Sequence, residues 1–236
     1  MLEESALIPY AASPLPAGPW LVLAPHPDDE TLGLGGSLAR ARQKGLEVHV
    51  AFISDGEGAG DPFLRRQEAL SALKILGVQD FSFWNLPDRK IFRHFNAFAL
   101  KFFSLKITKF KSIFVPSLFE FHPDHRAVAW MTLALLKALS WSGEIWFYEI
   151  SRQGEVNRLL DISPFIENKK RAILCYKSQL SQNAYLEISL ALNRARAYTL
   201  THKNITYAEG FFVSQAEKAI FAFAEHLQRY FLTVWD

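Results

Sequence analysis

The tripeptide His-Pro-Asp occurs twice in the chain, in HPDDE at 26–30 and in HPDH at 122–125. With 7 His, 11 Pro and 9 Asp among 236 residues, one chance occurrence is expected at roughly the one-in-a-hundred level, so two call for a cause. His26 and Asp29 stand three apart, as do His122 and His125, and residues at that spacing share a face where a chain enters a helical turn. Two imidazoles and a carboxylate form a nitrogen and oxygen donor set that suits zinc with a position left for water. Three ligands suffice, so the surplus among His26, Asp28, Asp29, His122 and His125 leaves a base and an acid, which points to catalysis. The competing reading is a helix start, because aspartates cap free amides, favour the helix dipole and follow a proline at the first turn. Capping accounts for HPDDE alone but for neither pair of histidines.

Each HPD segment follows an apolar run. Runs rich in Val, Ile, Phe and Trp predict strands at 20–25, 48–54, 81–86, 112–117, 144–150 and 207–213, and helical periods predict helices near 33–44, 62–76, 91–106, 124–140, 166–178, 183–198 and 215–231. That alternation predicts an α/β fold with a mainly parallel sheet. In such a sheet the carboxyl ends of the strands share one edge, so the two segments can converge although 96 residues separate them. The first 19 residues read as a surface arm and 20–236 as one domain; no repeat or linker divides it.

Composition narrows the class. A formal charge of +2, from 26 basic and 24 acidic residues, is too small for the broad positive field of a nucleic-acid-binding protein, and no such partner is expected. Acids where a leader needs Lys or Arg, and no apolar stretch long enough to span a bilayer, predict a soluble protein. The single cysteine, Cys175, fits a reducing cytoplasm and reads as a small buried hydrophobe.

At these motifs the chain resembles the PIG-L/LmbE-like family of zinc-dependent de-N-acetylases, whose signatures are a first-strand PDDE stretch and a downstream H-x-x-H. Pro25 before the histidine is a departure that lies outside the ligands. The likeness continues through LRRQEALSALKILGV at 64–78, NLPD at 85–88, KRAILCYKSQ at 170–179 and AEGF at 208–211. It implies a Rossmann-like three-layer α/β/α sandwich, metal ligation by His26, Asp29 and His125, Asp28 as general base, and His122 as electrostatic stabiliser and general acid. It implies Zn2+ or another divalent transition metal such as Fe2+, and removal of an acetyl group from N-acetylglucosaminyl compounds, glycolipids among them. In the family, positions matching Arg65 and Asp88 face sugar hydroxyls.

The expected chemistry is hydrolysis of an amide, with Asp28 taking the proton of the attacking water. The alternatives are another sugar-linked amide and a metal-retaining carbohydrate-binding protein without turnover. Asp124 is expected either to hold the His122 imidazole as a cation or to cap the helix that follows. Arg65 has an ion pair with Glu68 as its competing role. SDGEGAGDP at 54–62 falls at the sheet edge that would cover a pocket, and GLGG at 33–36 lacks the spacing of a dinucleotide loop and instead permits close backbone approach. The segment 91–111 interleaves aromatics at 92, 95, 102 and 103 with Arg93, Lys101, Lys106, Lys109 and Lys111; packing on the sheet competes with peripheral membrane contact. The apolar C-terminus adds a homo-oligomer interface as an option. His49, His94, His202 and His226 lie outside ligand spacing.

Overall fold

The computed structural model describes residues 10–202 and 204–219. Five strands, β1 (Trp20–Ala24), β2 (Val48–Ser54), β3 (Asp80–Leu86), β4 (Ser112–Pro116) and β5 (Glu144–Tyr148), run parallel, and β7 (Ala208–Gln215) pairs antiparallel with β5 and with β6 (Arg158–Asp161). The order across the sheet is β3-β2-β1-β4-β5-β7-β6. The chain builds outward from β1 in one direction, then returns to place β4 on its other side. The crevice between the carboxyl ends of β1 and β4 is therefore the topological switch point, where open α/β sheets bind ligands. HPDDE follows β1 and HPDH follows β4.

The sheet is buried on both faces because its central strands are apolar throughout, as parallel strands covered by crossover helices must be. Trp20, Val22 and Ala24 join one core and Leu21 and Leu23 the other, the two-residue period of a strand. Helices α1 (Asp29–Gln43), α2 (Pro62–Leu76) and α5 (Ile166–Ile173) supply residues to the first core; α3 (Phe95–Ser104) and α4 (Pro123–Ala138) supply the second. Helices α6 (Lys177–Leu180) and α7 (Tyr185–Tyr198) are the remaining α-helices among the described residues. This is the expected three-layer sandwich. Residues 10–19 lie along it, with the amide of Ser13 donating to the carbonyl of Leu159 and that of Thr201 to Tyr10.

The differences from expectation have local causes. Strand β6 is not among the expected strands, since its RLLD has two adjacent buried leucines rather than alternation. The helix expected at 91–106 opens as a 3-10 turn, Ile91–His94, before α3, and that expected at 166–178 divides into α5 and α6. Cys175 is half-buried rather than buried. The helix expected at 215–231, together with the apolar C-terminus and His226, falls outside the described residues after a 3-10 turn at Ala216–Lys218.

Helix α1 starts four residues before the expected 33, since the acidic motif itself forms the first turn, and it breaks at Leu34 (φ −142°, ψ 23°). The break orphans backbone groups, and a buried ion pair takes them up. Glu209 accepts the amides of Gly36 (2.9 Å) and Ser37 (2.7 Å), while the Lys169 ammonium donates to the Leu32 carbonyl (2.8 Å) and to Glu209 (2.7 Å). GLGG makes the bend possible: a Cβ on Gly33 would sit 2.3 Å from the Tyr148 ring, and one on Gly36 2.6 Å from Ile162.

Candidate metal centre and active site

The two HPD segments meet. His26 Nδ1, Asp29 Oδ2 and His125 Nε2 form a triangle with edges of 3.1, 3.2 and 3.3 Å. A tetrahedral cation with nitrogen and oxygen ligands at about 2.0 to 2.2 Å needs donors about 3.3 to 3.5 Å apart, so three corners are nearly in place. Hydrogen bonding alone is a poor account of this triangle. Two imidazole nitrogens aim at one carboxylate oxygen and at each other, and if both carried protons two cations would be pressed together; one dication between them replaces both protons.

The far nitrogen of His26 is hydrogen-bonded to a carboxylate, the arrangement that fixes the tautomer of a ligating histidine, whereas that of His125 faces Glu120 beyond hydrogen-bond distance. His26 Nε2 lies 3.1 Å from Asp88 Oδ1 and 3.5 Å from Asp124 Oδ2, and His125 Nδ1 lies 3.8 Å from Glu120 Oε2. Burial opposes the cationic form of His26, but its hydrogen bonds to Asp124, Asp29 and Asp88 outweigh that and raise it well above the ordinary value. For His125 burial is likewise overcome, chiefly by the charge of Asp29, and the imidazole is raised to about 9. Asp29 is held far below the carboxylate range, because the two imidazoles outweigh its burial. The same carboxylates that favour protons on these two imidazoles would favour a bound cation in the protons' place.

Asp28 stands at the N-cap of α1 yet makes no capping hydrogen bond. Its φ of 136° is a left-handed conformation that a non-glycine residue adopts at a cost of order 1–3 kcal/mol. That turn sends the carboxylate into the cavity rather than onto the helix end. Pro27 precedes the cap, whereas Pro123 in the second motif does occupy the first turn of α4. Arg65, on the buried side of α2, donates to Asp28 Oδ2 (3.0 Å), the Pro27 carbonyl (2.8 Å) and the Gly56 carbonyl (2.9 Å). Glu30 accepts the Asp28 amide (3.2 Å) and the Tyr176 hydroxyl (2.6 Å). Burial first, then repulsion from Asp29, pushes Asp28 up to about 7 against the pull of Arg65.

His122 caps α4, its Nδ1 accepting the Asp124 amide at 3.2 Å. Burial and the charges of His26 and His125 lower it to about 4, and because Nδ1 accepts, the neutral ring carries its proton on Nε2. The expected contact between the Asp124 carboxylate and the His122 imidazole is not made. That carboxylate accepts the amides of Arg89 (2.6 Å) and Ile91 (3.2 Å) and faces His26 instead. Arg65 does not pair with Glu68, which accepts the Ser178 amide and hydroxyl. Asp88 spends Oδ1 on His26 and Oδ2 on the Gly58 amide (3.0 Å).

His26, Asp28, Asp29, Arg65, Asp88, His122 and His125 line a cavity of about 210 Å3. The loop after β2 does cover it, through Ala59, and Gln179 Nε2 donates to the Ala59 carbonyl at 3.1 Å. Arg89, Ser151 and Tyr185 also wall it; sequence reasoning misses them, because each belongs to a loop or helix start with no motif of its own. A larger cavity of about 660 Å3 lies against α7 and contains no residue of either HPD segment.

A triangle of donor atoms beside a buried carboxylate, at the switch point of a doubly wound sheet, has the geometry of a hydrolase site that would hold a metal. The comparisons narrow that class. The family described as "PIG-L: GlcNAc-PI de-N-acetylase" matches residues 21–136. The probable N-acetyl-alpha-D-glucosaminyl L-malate deacetylase 2 of Bacillus subtilis (strain 168) is 27% identical over 181 residues, 67% of this chain and 82% of that one. The diacetylchitobiose deacetylase of Thermococcus kodakarensis is 26% identical over 223 residues, 80% of each chain. The crystal structure of the conserved protein TT1542 from Thermus thermophilus superposes with a TM-score of 0.71 at 29% identity, covering 82% of this chain and 93% of that one. The match to that family model and these relatives support the PIG-L/LmbE-like deacetylase family and indicate an amide hydrolase.

Proposed function

We propose that the protein removes the N-acetyl group from an N-acetylglucosamine-type amino sugar carried in a glycan, glycolipid or small-molecule conjugate, and that it uses zinc. The observation that carries this reading is the triangle of His26 Nδ1, Asp29 Oδ2 and His125 Nε2 with Asp28 beside it. Those three residues would hold the cation, with Asp88, Asp124 and Glu120 orienting the imidazoles. A bound divalent metal supplies Lewis acidity, which polarises an amide carbonyl and acidifies a water.

The chain does the rest. Asp28, poised near neutrality, accepts the proton of the attacking water and returns it to the departing amine, which leaves badly without one. Arg65 and the strained backbone fix its carboxylate in the cavity; we assign Arg65 to positioning the base and Asp88 to positioning His26, in place of direct sugar contact. His122, neutral with its proton on Nε2, donates a hydrogen bond to the acetyl oxygen as that atom gains charge. This role needs no imidazolium, in contrast to the protonated stabiliser expected from sequence.

A cavity of about 210 Å3 is smaller than the roughly 300–1,000 Å3 that encloses a drug-sized ligand. It fits a substrate that inserts one sugar and leaves the remainder outside. The test is acetate release from a panel of N-acetylglucosaminyl compounds by metal-loaded protein, with Asp28→Ala as control. Acetate from the wild type alone supports the assignment and ranks the aglycones. No acetate from any compound at full metal occupancy would remove it and favour another amide or binding without turnover.

A further inference from the structure

Between Asp88 and Glu120 the chain carries seven Lys or Arg residues, from Arg89 to Lys111, and no Asp or Glu. All seven are exposed, whereas the formal charge of the whole chain is only +2, so positive charge is concentrated in this segment. The segment packs on the sheet through Ile91, Phe98 and Phe102, all fully buried. Packing does not use up its apolar surface. Phe92 (55% exposed), Phe95 (40%), Leu100 (74%) and Phe103 (44%) point outward. At about 100° per residue, these four fall with Ala99 in one arc of about 140° that contains a single polar residue, Asn96. The outward arc begins about 20° from Phe102, so α3 and the turn before it carry one broad apolar face, part of it packed on the sheet and the rest exposed.

Charge selects what covers that exposed part. A symmetric contact with another copy would set two such cationic segments face to face, which like charges oppose. A nucleic acid would stack its bases on aromatic rings, and Leu100, the most exposed of the four, offers none. An apolar arc flanked by Lys and Arg instead has the composition of a surface helix that seats in the headgroup region of an anionic bilayer. We propose that this face, formed by the 3-10 turn Ile91–His94 and α3, docks on a lipid surface bearing anionic headgroups. Phe92, Phe95, Leu100 and Phe103 enter the headgroup and acyl boundary, and the surrounding Lys and Arg meet the lipid charges. Among the described residues no helix is long and apolar enough to cross a membrane, so the contact is peripheral. Arg89, the first residue of the segment, walls the catalytic cavity, and docking brings the cavity beside the lipid surface.

The test is flotation of the intact protein with vesicles of phosphatidylcholine alone or mixed with phosphatidylglycerol, at low and high salt. The expected result is flotation only with phosphatidylglycerol, weakened by salt. Replacing Leu100 and Phe103, both exposed, by glutamate abolishes flotation while leaving hydrolysis of a water-soluble substrate unchanged. Lys101→Glu with Lys106→Glu lowers vesicle affinity at least about 25-fold, from about fivefold per charge. Failure to float with phosphatidylglycerol, or flotation untouched by the Leu100 and Phe103 changes, overturns the proposal. So does a dimer that those changes dissociate, which assigns the face to a second copy, or tighter retention of single-stranded RNA than of vesicles. None of these readouts depends on which amide the active site cleaves.

Discussion

Arg65→Gln removes the one guanidinium that touches Asp28 and leaves a polar side chain in its place. The two groups are in contact at 3.0 Å, and both are buried. Unit charges about 4 Å apart interact by about 4 kcal/mol at an effective dielectric of about 20. At about 1.4 kcal/mol per unit this sets an upper limit of about three pKa units, and opposite charges in such contact commonly shift a carboxylate by about 1 to 3. Asp28 already stands at about 7 because burial and Asp29 raise it while Arg65 pulls it down. Without that pull it moves to roughly 8 to 10. The sign follows: Asp28 works as a base only when ionised, so the acid limb of the kcat/KM profile shifts to higher pH. At pH 7 the ionised fraction falls from about one half to between about one tenth and one thousandth, and kcat/KM drops about 5-fold to 500-fold. Activity returns as the pH is raised. Arg65→Lys, which keeps the charge, holds the acid limb near its wild-type position. Acetate release measured from pH 5 to 10, with metal content checked at each point, reads all of this. An acid limb unmoved in Arg65→Gln at full metal occupancy would refute the base assignment, the role of Arg65, or both.

Asp28→Ala retains metal, since Asp28 is not one of the three donors, and lowers kcat by about 10^2 to 10^4, as elemental analysis and steady-state rates will register. His26→Ala and His125→Ala each remove a donor nitrogen, so metal content and turnover fall together. Dialysis against a chelator abolishes acetate release in the wild type, and one equivalent of a divalent transition metal restores it; comparing Zn2+ with Fe2+ ranks the candidate ions. Lys169→Met strands the Glu209 carboxylate in a fully buried position and costs about 3 to 5 kcal/mol in urea unfolding. Lys169→Met with Glu209→Gln recovers part of that loss; a double variant as unstable as the single one contradicts the pairing.

The fold was legible because the chain keeps its physical periods separate. Short runs rich in apolar and β-branched residues at 20–25, 48–54 and 112–117 read as strands covered on both faces, and helix α2 starts and stops at Pro62 and Gly77 as capping preferences dictate. The meeting of the two HPD segments followed from topology, since both end strands at the switch point. The weaker matches gain meaning only in three dimensions. Tyr176 of KRAILCYKSQ bonds Glu30, Glu209 of AEGF caps the broken α1, and Asp88 of NLPD backs His26. Spacing along the chain carries no information on such partners, which lie 146, 173 and 62 residues apart. The roles of Arg65 and Asp124 were obscured for the same reason: a helix-pair rule looks three or four residues away, whereas Arg65 reaches Asp28 across 37 residues. The left-handed turn at Asp28 was invisible because sequence rules assign such backbone to glycine.

The account rests on a cation held by His26 Nδ1, Asp29 Oδ2 and His125 Nε2. The most direct measurement is a crystal structure of the metal-loaded protein with anomalous data on either side of the zinc absorption edge. One zinc peak is expected within about 2.0 to 2.2 Å of those three atoms, with Asp28 and His122 outside bonding distance. A peak instead among His26 Nε2, Asp88 and Asp124, which also gather donor atoms within 4.8 Å of one another, would contradict it.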